Sequence, residues 1–111
     1  MSYVFTSQNI GITNSNFYVT PLIASGTSIF DLSFSNVVQG IYEVLISNFS
    51  IAESWLGYVN WYPGNPFSVV ATTIVNNIGA TTPSSGTLRF TGLQAGNPYW
   101  ITIRYVGRNY A

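Results

Sequence analysis

The sequence predicts an all-β chain folded as a single antiparallel β-sandwich. Short runs rich in Val, Ile, Phe, Tyr and Thr recur along its 111 residues. No stretch combines helical periodicity with helix-forming residues, and Gly, Pro, Asn and Ser punctuate the intervals. The length suits one domain covering residues 1–111.

Strands are expected at residues 3–5, 17–23, 28–34, 41–49, 56–62, 67–75, 87–91 and 99–106, each an apolar or β-branched run bounded by turn formers. The turns at 24–27, 38–40, 62–66, 76–80 and 93–98 each hold a glycine, which supplies the backbone angles of a reversal. The segment Thr81-Thr-Pro-Ser-Ser-Gly86 is of low complexity and reads as an exposed loop. Eight strands fit a two-sheet sandwich of jelly-roll type.

Strand parity adds detail. In Phe30-Asp-Leu-Ser-Phe34 the apolar residues share one face and Asp31 and Ser33 the other, as a half-buried strand requires. Leu88, Arg89 and Phe90 alternate in the same sense. Elsewhere both faces are apolar. Tyr99, Ile101, Ile103 and Tyr105 oppose Trp100, Thr102, Arg104 and Val106, while Trp55, Gly57, Val59 and Trp61 oppose Leu56, Tyr58, Asn60 and Tyr62. A sandwich offers one core face per sheet. The second apolar face is therefore expected to meet another subunit, most simply an identical copy.

Charge points the same way. Asp31, Glu43, Glu53, Arg89, Arg104 and Arg108 are the only charged residues, the net charge is zero, and 47% of the chain is hydrophobic. An isolated soluble surface carries mixed charge with a net value away from zero. A homo-oligomer is the expected state.

The same composition excludes several chemistries. Without cysteine there are no disulfides, thiolate nucleophiles or cysteine zinc sites, and without histidine the commonest general base and metal ligand are missing. Three scattered arginines cannot form a phosphate-binding patch, so nucleic acid is not an expected partner. No glycine loop for phosphate and no metal-ligand spacing occurs, so neither a cofactor nor a metal is expected. The first ten residues have neither a basic nor an apolar signal region, and no apolar run reaches membrane-spanning length. Membrane insertion is not expected.

A carboxylate pair is the main catalytic alternative. Asp31 and Glu43 would approach each other if their strands were neighbours; the ordinary expectation is that each acid pairs with an arginine or faces solvent. The chain is thus expected not to be an enzyme. The richest candidate surface is aromatic. Trp55, Tyr58, Asn60, Trp61 and Tyr62, with Trp100 and Arg104, combine flat rings with amides, as a glycan platform or a subunit interface needs, unless the tryptophans are core. Asn48-Phe-Ser50 matches the glycosylation pattern and is read as coincidental.

Two segments resemble each other: Gly40-Ile-Tyr42-Glu-Val44 and Gly96-Asn-Pro-Tyr99-Trp-Ile101 each place a tyrosine at the start of an alternating strand after a turn glycine. With Leu93 upstream, the second resembles the tyrosine corner of fibronectin type III and other immunoglobulin-like sandwiches. That resemblance implies that the Tyr99 hydroxyl ties back to the preceding loop. It also implies a further strand, for which residues 107–111 are too short, so a domain of that type would be either incomplete or completed by a neighbour's strand. The run from Tyr99 to Gly107 is also similar to the closing strand of small jelly-roll modules in viral fibres, spikes and decoration proteins. The expectation is a non-enzymatic structural subunit of a virion, trimeric by that similarity and bound to other virion structural proteins. The alternatives are a glycan-binding or receptor-binding module and an extracellular filament subunit completed by strand donation.

Overall fold

The computed structural model describes residues 9–14, 16–23, 26–63, 68–75 and 78–108 and contains nine strands, most of them built on alternating apolar residues. They are β1 (Asn9–Gly11), β2 (Asn16–Val19), β3 (Phe30–Ser33), β4 (Gly40–Asn48), β5 (Glu53–Trp61), β6 (Ser68–Val75), β7 (Gly79–Ser84), β8 (Thr87–Thr91) and β9 (Trp100–Gly107). The expected strand at 3–5 lies outside the described residues, as do parts of three expected turns.

Two sheets pack face to face, in the orders β1-β3-β8-β7 and β2-β9-β4-β5-β6. Within the larger sheet, β4, β5 and β6 form a meander and β9 returns to lie beside β4, the spatial order of a Greek key. All pairs are antiparallel except β1 with β3, which run parallel, so the expected wholly antiparallel sandwich is corrected at that edge. The parallel pair arises because the chain leaves β1 for the other sheet, forms β2, and crosses back to β3.

Two strands lie where none was expected. One is β1, three residues long. The other is β7, which occupies most of the segment read as an exposed loop. Its residues from Thr81 to Ser84 are all exposed, so it carries no apolar alternation; it is held by pairing to β8, by the Ser84–Thr87 side-chain hydrogen bond at 3.1 Å and by Ala80 against the core. Pro83 is tolerated there because β7 is an edge strand.

The core lies between the sheets. Phe30, Leu32, Leu88 and Phe90 face inward from the smaller sheet, and Val44, Ile46, Val59, Ile101 and Ile103 from the larger, all at 1% exposure or less. Trp55 meets Phe90 edge to face at 5.2 Å between ring centroids. The Trp55 indole also lies over Gly57: a β-carbon there would stand 2.5 Å from the ring and 2.7 Å from the Val70 carbonyl oxygen. Gly57→Ala is expected to cost roughly 1–3 kcal/mol by overpacking, measured as a lowered urea midpoint; unchanged stability would mean that the indole does not sit over β5.

The strand beside β9 comes from the chain itself. β2 pairs with β9 from Asn16↔Arg104 to Val19↔Ile101, and the same register continues through the Leu22↔Pro98 bridge. Ile23 N–H donates to Asn97 O at 3.0 Å and Tyr99 N–H to Pro21 O at 2.9 Å. The side of β9 away from β4 is thus occupied by the chain's own β2, which corrects the alternative of a neighbour's strand at that place.

Candidate functional site

The two outer faces of the sandwich differ. On the smaller sheet, Asn9, Asp31, Arg89 and Thr81 lie side by side across β1, β3, β8 and β7, with Ser33 opposite Thr87. Asp31 accepts two hydrogen bonds from Arg89, from Nε at 2.9 Å and Nη2 at 3.0 Å. This pair holds the Arg89 guanidinium further above its ordinary pKa. The face is polar and fit for water.

The larger sheet turns a different face outward. Tyr18, Leu45, Val70, Val75, Trp100 and Val106 are all exposed. Tyr18 of β2 and Trp100 of β9 stack at 5.2 Å with their rings tilted by 57°. Beside Tyr18 a shallow open groove of ≈ 340 Å³ is lined by Asn16, Phe17, Tyr18, Thr102, Ile103 and Arg104. The charge on this face is neutralised internally: Glu43 accepts from Arg104 at 3.0 Å and from the Tyr58 hydroxyl at 3.1 Å. These three residues are cross-strand neighbours in one row, Arg104↔Glu43↔Tyr58.

The candidate aromatic platform is divided by the sheet. Trp55 and Trp61 are 1% and 5% exposed and point into the core, where the Trp61 indole N–H donates to Val37 O at 3.2 Å. Tyr58, Asn60, Trp100 and Arg104 lie on the opposite, outer face, and Tyr62 follows the end of β5, half-buried. Trp55 and Trp61 are thus out of reach of a ligand stacking on the outside of this chain. Tyr18, which sequence reasoning did not single out, is the exposed ring that partners Trp100. Its signal in the sequence is weak, because Phe17 and Tyr18 are both aromatic and only pairing shows which one faces out.

The acids also separate. Asp31 and Glu43 lie on different sheets, on opposite outer faces, so they do not approach each other. Glu53 neither pairs with an arginine nor faces solvent, which corrects the ordinary expectation for it. It is buried, accepts a hydrogen bond from the Tyr99 hydroxyl, and receives the Gln94 side-chain amide at 2.8 Å. Among the described residues no three acids gather as metal ligands.

Tyr99 forms the corner expected from its surroundings. Its hydroxyl accepts the Gln94 N–H at 3.0 Å, tying back to the loop before β9 while donating to Glu53. Burial and the hydrogen bond to Glu53 push its pKa up to about 12. The similar segment at β4 behaves in a related way: the Tyr42 hydroxyl donates to Val38 O in the turn before that strand. Asn48 is buried, donates to Pro98 O at 2.6 Å and caps the 3-10 turn Phe49–Ile51 by accepting from Ser50 N–H. Its amide thus donates through the nitrogen and accepts through the oxygen within the fold.

No protein-family model, no curated protein and no solved structure matches the chain. The fold is assigned at the level of a two-sheet β-sandwich.

Proposed function

We propose that the chain is a non-enzymatic structural module that works within a protein assembly, as the decoration, spike, fibre and tail proteins of virions do. The observation that carries this reading is the contrast between the two outer faces. One presents Asp31, Arg89, Ser33 and Thr87 to water, whereas the other presents Tyr18, Leu45, Val70, Val75 and Trp100, with its one ion pair self-neutralised. Large apolar side chains gathered on one exposed sheet face, with Tyr18 and Trp100 in contact, support an interaction site there. A net charge of zero offers no long-range repulsion between copies.

The expected result is a homo-oligomer at micromolar concentration, measured by sedimentation or native mass spectrometry. A stable, soluble monomer would remove the reading. A second reading, a glycan-binding module, is favoured by the tilted Tyr18–Trp100 pair beside the Asn16 and Thr102 side chains, which offers stacking rings next to hydrogen-bonding groups. In that case Trp100→Ala abolishes retention on a glycan array while leaving the fold intact.

A further inference from the structure

A sandwich with two open sheets has four edge strands, and three of these are blunted. Among the described residues β1 spans three positions and β2 four, and β7 carries Pro83 together with a register shift between Thr81 and Ser84. Short length, proline and bulges are the ordinary means by which sheet edges avoid pairing with other chains. β6 differs. Its eight residues, Ser-Val-Val-Ala-Thr-Thr-Ile-Val, contain no charge and no proline, and among the described residues it pairs on one side alone, with β5. Its single irregularity is the shift opposite Leu56 and Gly57, where Thr72 is left out of the ladder and its hydroxyl donates to Leu56 O.

We propose that β6 pairs antiparallel with β6 of a second copy, joining two five-stranded sheets into one. The proposal rests on the reading that the chain self-associates, and adds where and with what geometry. A second copy fits this edge because a two-fold axis sets one uncharged, β-branched strand against an identical one, with no like charges opposed. It also makes the apolar outer face continuous, since Val70 and Val75 lie at that rim, 65% and 41% exposed. Pairing through the main chain supplies partners on the side of β6 where, among the described residues, no strand pairs. The building unit is then a two-fold dimer in place of the trimer suggested by similarity to viral fibres.

The test uses the full chain, which has no cysteine of its own. Val70→Lys, a charge on the edge, is expected to weaken dimerisation roughly tenfold or more, equivalent to about 1.4 kcal/mol, while Leu45→Lys in the middle of the same face leaves the dimer formed. Single cysteines at Ser68, Val70 and Thr72 provide a second measurement: in a two-fold strand pair, oxidative cross-linking peaks at the position nearest the axis and falls off on either side. If Leu45→Lys dissolves the dimer and Val70→Lys does not, the contact is face to face, which overturns this inference and preserves the assembly reading. A wild-type monomer overturns both.

Discussion

Replacing Tyr99 by Phe is expected to lower the unfolding free energy by roughly 2–4 kcal/mol, because it removes one oxygen that serves both the buried Glu53 carboxylate and the Gln94 N–H. The Glu53 carboxylate loses its tyrosine donor and the Gln94 N–H loses its acceptor. Glu53 is 6% exposed, so water cannot readily take the place of the lost donor. In a double-mutant cycle with Glu53→Leu the two losses are expected to be strongly non-additive, since each variant breaks the same bond; additive losses would show that the contact contributes little. The wild-type protein also has a defined alkaline response. The folded-state pKa of about 12 lies above the ordinary value of 10.0, so the unfolded chain ionises first. The contribution is complete below pH 10, declines as pH rises towards 12, and is absent from the Tyr99→Phe protein. Urea denaturation of both proteins across that window measures the difference.

Replacing Ile103 by Ala is expected to cost about 2–5 kcal/mol through the cavity it leaves, whereas Arg104→Ala is expected to change folding stability by about 1 kcal/mol or less. The two residues are neighbours on β9 with opposite fates. Ile103 is 1% exposed among the core side chains, while Arg104 lies on the outer face with a guanidinium bonded to Glu43. Arg104→Ala leaves Glu43 with its Tyr58 partner, and because β9 lies three strands from the β6 edge the variant is expected to leave that pairing formed. Denaturation midpoints and sedimentation of the two variants separate these effects; a reversed order would place the two faces of β9 the wrong way round.

Residues 87–91 were legible as a strand because Leu88 and Phe90 face a core while Arg89 faces water, and the same holds for Asp31 and Ser33 in β3. β7 was hidden for the opposite reason. An exposed edge strand has no buried face, so its pairing leaves no mark on side-chain pattern. The candidate platform failed on a related ambiguity. Parity groups Trp55 with Trp61 and Leu56 with Tyr58, but both groups are apolar and alternation alone does not say which is core. Gly57 carries the missing sign, since its lack of a side chain admits the Trp55 indole over the strand. Glu53 went unrecognised because the strand was expected to start at Leu56, and a carboxylate near a turn ordinarily faces solvent. Its partners, Gln94 and Tyr99, lie far along the chain and meet it only in the folded sandwich. The tyrosine corner was legible because its hydrogen bond is local, between Tyr99 and the loop just before it.

The seating of β2 beside β9 bears on how the chain reaches its fold. Asn16 and Tyr105, joined side chain to backbone, are 89 positions apart in sequence. On the ribosome, Phe17, Tyr18 and Val19 emerge long before the strand that covers them exists. The larger sheet gains β9 only after the other eight described strands have been made. Closing so large a loop carries an entropic cost before the contact returns anything, which places the chain among slow-folding, high-contact-order β proteins with relaxation in milliseconds to seconds. Until that closure β9 is itself an open edge, and newly made chains are at their most adhesive in that interval.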